Sequence, residues 1–234
     1  MTVQRVEPET ERNEGTGPST AGPPLVAVIT ADVIHSRRAV DRAALQRHLA
    51  EGLARFNRSE REELLVPFTL SRGDELQGVL LDPTRVLRLS RHLRFHLWPT
   101  PLRVGIGIGT VSTPVSTESS WLMDGPAFHA ARAALEAGTH RGKPQLAFRS
   151  GDPEMDEVLN AICGLVDALQ SRWTTAQWTA IDAYERLSTF ERAGRVLGVS
   201  LQNVEKRCSA ARWSAVRQAE EFSERYLRRR MPMR

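Results

Sequence analysis

Residues 102–111 read LRVGIGIGTV, and this stretch constrains the fold more than any other in the chain. Val104, Ile106 and Ile108 alternate with Gly105, Gly107 and Gly109. A period of two puts the three branched side chains on one face of a β-strand and three bare backbone positions on the other. A strand stripped of Cβ atoms on one face lets something approach its backbone closely. That something is either a tightly packed helix or a ligand, because both use glycine for the same steric reason.

The elements around this strand follow from periodicity and breakers. Residues 25–31 (LVAVITA) form a near-continuous apolar run after Pro23-Pro24 and end at Asp32, which reads as a central strand buried on both faces. Leu45, Leu49, Leu53 and Phe56 mark an amphipathic helix over 41–57, with Asp41 at its start. Residues 65–81 (LVPFTLSRGDELQGVLL) place two apolar runs around a polar centre, which predicts a hairpin turning at Arg72-Gly73-Asp74. A second helix over 82–98 carries Val86, Leu89, Leu93 and Leu97 and stops at Pro99 and Pro101. Pro126 opens a third helix over 127–137, capped by Asp124 or Gly125, and 145–148 is a last short strand. The order strand, helix, strand, strand, helix, strand, helix, strand predicts an α+β, ferredoxin-like domain with two helices on one sheet face.

This divides the chain into a disordered tail (1–22), the ferredoxin-like domain (23–150), a connecting helix (151–173) and a helical domain (174–234). The tail is polar, with Pro, Gly, Thr and Glu. Charge separates the halves. Residues 171–234 hold 13 Lys/Arg against 7 Asp/Glu, which leaves 19 against 21 for the rest of a chain whose net charge is +4. A basic C-terminal part suits a polyanion. Cys163 and Cys208 have neither disulfide nor zinc spacing. With no apolar run near the roughly 18 residues of a membrane span, a cytoplasmic protein without membrane contact is expected.

In the expected strand order the first and second strands are central neighbours. Asp32 and Asp74 then lie at adjacent strand ends. Two carboxylates about 4 Å apart repel by about 4 kcal/mol at an effective dielectric near 20. A divalent cation turns that cost into binding energy, and hard oxygen ligands open on one side suit Mg²⁺ carrying phosphates. Asp32, Asp74 and the carbonyl of Val33 are the candidate metal ligands; the alternative is a solvated polar turn.

These residues also carry a resemblance. Ala31-Asp32-Val33-Ile34 resembles the first metal-binding strand end of class III nucleotidyl cyclases. Residues 72–76 (RGDEL) resemble their Gly-Asp hairpin and the signature turn of diguanylate cyclases, and residues 102–109 resemble their glycine-rich strand. Gly125-Pro126-Ala127-Phe128-His129 resembles the start of their following helix. The whole pattern, with Met123-Asp124 before that block and a helical C-terminal segment, resembles the SatD family of bacterial proteins. The resemblance implies a nucleotide or other phosphate ligand near Ser36, Arg37, Arg72, Gly73, Glu75, Gly107 and His129. It departs from cyclases at three points. Leu70 stands where a base-selecting Lys is expected, His129 replaces the transition-state Asn, and Ala133 replaces the phosphate-binding Arg, with Arg132 one residue away. His129 and Arg132 are therefore the candidates for catalysis, if there is any. The residues that specify cyclisation are missing, which favours nucleotide binding without a cyclic product.

The C-terminal part has its own signature. Thr174 or Thr175 caps one helix, and residues 188–191 (STFE) read as a capping box for the next. Gly194 supplies a small crossing residue, Gly198-Val199-Ser200 a turn, and Val199 and Val204 apolar anchors. Ser200, Gln202, Asn203, Lys206 and Arg207 then project as candidate DNA contacts, while Leu201 and Trp213 are assigned to the core. The arrangement resembles sigma-factor region 4; the alternative is a helical hairpin for dimer packing. The expected protein is a homodimeric DNA-binding regulator whose cyclase-like domain takes a nucleotide with Mg²⁺. The alternative is a Mg²⁺-dependent nucleotidyl cyclase or phosphoryl-transfer enzyme using Asp32 and Asp74.

Overall fold

The computed structural model describes residues 25–36, 40–71, 73–115, 119–138 and 145–231. The expected tail, 1–22, lies outside them, as do Arg37 and Arg72. The strands are β1 (Val26–Val33), β2 (Leu64–Leu70), β3 (Glu75–Leu80), β4 (Leu102–Gly109) and β5 (Leu146–Arg149). They form one mixed sheet in the order β2-β3-β1-β4-β5. β1 runs antiparallel to both β3 and β4, β2 is antiparallel to β3, and β5 is parallel to β4. The first two strands are therefore not neighbours, contrary to the sequence expectation. A tight turn forces β3 to pair with β2, and the long connection through a helix leaves the place beside β1 to β3.

Helices α1 (Arg42–Ser59) and α2 (Val86–His96) cover one face. The carboxylate of Asp41 caps α1 by accepting from the Ala44 N–H at 2.8 Å. Leu49, Leu53, Phe56, Leu89 and Leu93 from these helices share a core with Ala27, Ile29, Ile106 and Phe148 of the sheet. Helix α3 (Pro126–Ala137) covers the opposite face, where Ala127, Phe128 and Ala131 meet Val26 and Val28. The glycines of β4 belong to this second face. A Cβ on Gly107 would lie 2.2 Å from both the Ala127 oxygen and the Ala131 nitrogen, and one on Gly105 2.3 Å from the Ala131 oxygen. The stripped face is thus filled by the backbone of α3, which leaves no room there for a ligand at Gly107.

The remaining helices are α4 (Pro153–Gln170), α5 (Thr175–Leu187), α6 (Phe190–Leu197), α7 (Leu201–Ala210) and α8 (Trp213–Arg230). They do not hang from a linker. Met155, Leu159, Cys163 and Val166 of α4 join the same core as the first sheet face, and it continues through Trp173 and Trp178 to Val204, Trp213 and Leu227. Trp173 and Trp178 meet edge to face at 4.6 Å, and the Trp173 indole donates to the Ala211 carbonyl at 2.8 Å. Among the described residues, no helix is long and apolar enough to cross a membrane. Both cysteines are free and buried, and burial pushes their thiols up, to about 12 for Cys163 and about 11 for Cys208.

An ion network crosses between α2 and the C-terminal helices. Arg91, 2% exposed, donates through Nε to Glu220 at 2.7 Å and through Nη1 to Glu185 at 2.6 Å, and its guanidinium lies 4.6 Å from the Trp213 ring. His92 lies beside it, with Nδ1 2.9 Å from Glu60 and Nε2 3.6 Å from Glu185. Burial alone would lower the His92 pKa, but the Glu185 and Glu60 carboxylates outweigh it and hold the pKa above the ordinary value of 6.5. Burial likewise opposes ionisation of Glu185, yet His92 and Arg91 draw it down to about 2. The histidine's contribution to stability is complete below its unfolded pKa and is lost as pH rises through the raised folded value. The Glu185 contribution is present above the ordinary value of 4.5 and is lost as pH falls towards 2. Stability measured by urea unfolding therefore peaks between about 4.5 and 6.5 as far as this network is concerned. His92→Gln flattens the alkaline limb of that profile and, because His92 is one of the two groups that hold the Glu185 pKa down, moves the acid limb to higher pH.

Candidate functional site

The end of the sheet on the α3 face carries a row of charges. Asp32 pairs in register with Glu75 of β3 on one side and Arg103 of β4 on the other. Residues opposite each other in a ladder share a face, so the three side chains stand together. Arg103 grips Asp32 with two hydrogen bonds, Nε to Oδ1 at 2.9 Å and Nη2 to Oδ2 at 2.6 Å. Such a bidentate pair is the strong form of the interaction. Glu75 is met from above by Arg132 of α3 at 2.8 Å. One step further into the sheet, the buried Gln77 amide donates to the buried Thr30 hydroxyl at 3.1 Å.

The hairpin forms where the sequence places it. The Ser71 N–H donates to the Glu75 carbonyl at 2.8 Å, and Gly73 has φ 141°, a conformation that L side chains rarely adopt. The Gly73 carbonyl accepts from the Gln46 side chain. The Asp74 carbonyl accepts from the Val33 N–H at 3.2 Å, so the backbones of the two predicted metal-ligand segments do meet. Their carboxylates are in different circumstances. Both oxygens of Asp32 are taken by Arg103, whereas the Asp74 carboxylate has no partner among the described residues. Among those residues no group of three or more His, Cys, Asp or Glu side chains is gathered for a metal. As they stand, these donors do not fit a divalent cation. The positive charge facing Asp32 is a guanidinium of the chain itself.

The other candidates scatter. Ser36 is buried, and His129 is exposed, with Nε2 3.3 Å from an equally exposed Asp124 carboxylate. A surface pair of that kind contributes little. Arg132 is half exposed and held by Glu75. The residue that sequence reasoning passed over is Arg103. Its signal was present: it lies two positions before Gly105, hence on the same strand face, but only the β1–β4 register aims it at Asp32.

The family comparison covers this sheet and more. A model of the SatD family matches residues 25–203, from the start of β1 into α7. The chain belongs to the SatD family. Similar solved structures include two described as a bacterial light-regulated adenylyl cyclase. One is 21% identical over 58% of this chain and 47% of that one, with a TM-score of 0.38, so the SatD-family chain spans about half its length. The other is 19% identical over 65% and 83%, with a TM-score of 0.40. Comparison with curated proteins finds no match.

The second candidate surface of this SatD-family protein is α6–α7. Gly198 takes φ 67° and ends α6, and the Val199 N–H returns to the Gly194 carbonyl at 2.9 Å. A Cβ on Gly194 would lie 2.6 Å from the Val199 oxygen, so a small residue is needed where the chain crosses. Thr189 caps α6 through the Arg192 N–H, while Glu191 pairs with Arg195. The expected capping box is thus absent from α6; it occurs instead at Thr174 and Gln177 of α5. Ser200 spends its hydroxyl capping the Asn203 N–H at 3.2 Å. Gln202, Asn203 and Lys206 are exposed and Arg207 half-buried, all four side chains without partners among the described residues. Trp213 is buried as expected. Leu201 is not in the core: it is 41% exposed.

Proposed function

We propose that this SatD-family protein is a DNA-binding regulator in which α6 and α7 act as a helix-turn-helix. The observation that carries the reading is the unpaired row Gln202, Asn203, Lys206 and Arg207 behind the Gly198 turn. Several other cations of the helical part are neutralised within their own helices, as in Arg186–Asp182, Arg195–Glu191, Arg217–Glu221 and Arg228–Glu224. Those on α7 are left free, as phosphate contacts require. A homodimer presents two such helices to two half-sites.

In this reading the sheet is the ligand-sensing half, a ferredoxin-like domain of the cyclase kind. Its strand order β2-β3-β1-β4, with two helices on one face, supports that assignment. A nucleotide or other phosphate ligand there engages Arg103 and Arg132 in competition with Asp32 and Glu75. Mg²⁺-dependent nucleotidyl or phosphoryl transfer gains no support from side chains arranged with Arg103 closed on Asp32.

The test is the salt dependence of duplex binding. The slope of log affinity against log salt falls by roughly 1 for each of Lys206→Ala and Arg207→Ala, because each phosphate contact releases about one counterion. An unchanged slope in both variants removes α7 from the interface.

A further inference from the structure

Leu201 is the first residue of α7, and it faces water. Leu197 and Val199 on either side of the turn pack against the core, whereas Leu201 is 41% exposed and Val196 66% exposed. Beside Leu201 along α7, Gln202, Asn203 and Lys206 are exposed and unpaired among the described residues, and Glu205, one turn on, is exposed as well. A protein-binding patch has an apolar centre of several side chains. Here one leucine at the start of the helix stands among hydrogen-bonding and charged groups, Glu205 and Lys206 among them, which suits a groove contact better than an apolar protein patch.

We propose that Leu201 is a specificity residue that seats on the C5 methyl group of a thymine in the major groove. This rests on the DNA-binding reading above. The N-terminal residues of the second helix in a helix-turn-helix reach base edges. Thymine is the base that offers an apolar group in the major groove. Ser200, immediately before, is committed to its cap, so the first side chain of the helix free to read a base is apolar.

The experiment uses the full chain and a random-sequence duplex library. Thymines in the selected site are then replaced one at a time by deoxyuridine, which lacks only the methyl group. One replacement per half-site weakens wild-type binding about fourfold, the equivalent of ~0.8 kcal/mol for one buried methylene-sized group. The same replacement leaves Leu201→Ala and Leu201→Gln unaffected, with both variants shown to fold by circular dichroism. If no thymine is sensitive, or if both variants keep the wild-type sensitivity, the leucine contact is wrong and the DNA-binding reading survives. If the wild-type chain shows no salt-dependent duplex binding, both fall together.

Discussion

Arg91→Met lowers the unfolding free energy by about 3–5 kcal/mol, the cost of removing one partner from a buried ion pair. The guanidinium is 2% exposed and is bound by two carboxylates that arrive from different helices, Glu185 on α5 and Glu220 on α8. Methionine fills much of the same volume, so the loss is chiefly electrostatic. Glu220, whose side chain is 7% exposed, is left with no guanidinium and little water. Glu185, which Arg91 helps to hold at a lowered pKa, then regains its proton more easily, and the acid limb of the stability profile moves to higher pH. Urea unfolding followed by far-ultraviolet circular dichroism measures the effect. Adding Glu185→Gln and Glu220→Gln to Arg91→Met recovers a good part of it, because the trapped charges disappear with the guanidinium. A loss below about 1 kcal/mol for Arg91→Met alone would place this network among the weak surface pairs. Since one core runs from the sheet into the helices, the variant loosens the attachment of α5 and α8 to α2.

Gly107→Ala is the second large effect. The added methyl meets the Ala127 oxygen and the Ala131 nitrogen, both 2.2 Å away. These are backbone atoms of α3, so no rotamer change relieves the clash, and the helix has to lift off the sheet. Overpacking of this kind costs about 1–3 kcal/mol, occasionally more, and a rigid backbone wall points to the upper end. For a chain of this length each kcal/mol moves the thermal midpoint by roughly 2–4 °C. The same measurement separates the two readings of the glycine strand. A ligand floor would give a protein of wild-type stability with weaker binding. A packed helix gives a destabilised protein whether or not any ligand is present.

Much of the fold was legible because it is locally encoded. Asp41, Pro126 and Gly198 mark helix ends through their own caps, ring and left-handed φ, and each does so in the structure. The hairpin at Gly73 and the crossing at Gly194 were likewise readable from residue types a few positions apart. The capping box was misplaced within the same logic. Residues 188–191 contain the right letters, but the cap falls on Thr189, which puts Arg192 rather than Glu191 three residues on. Leu201 was misassigned for a related reason. A lone leucine beside a turn looks like core, and Leu201 does share a side of α7 with the buried Val204 and Cys208, three and seven residues on, but at the first position of the helix it stays 41% exposed.

The sequence by itself determined the strand and helix order, the two-faced β1 and the need for close approach at β4, because alternation, caps and glycine sterics act within a few residues. Only the tertiary structure decided what approaches: α3, not a ligand, on the glycine face. Only it decided that Asp32 faces Arg103, 71 residues away, and that Arg91 reaches Glu220, 129 residues away. Those choices depend on strand register and on which helix crosses which. Both are settled by the packing of the whole core, and no local pattern of charges records them.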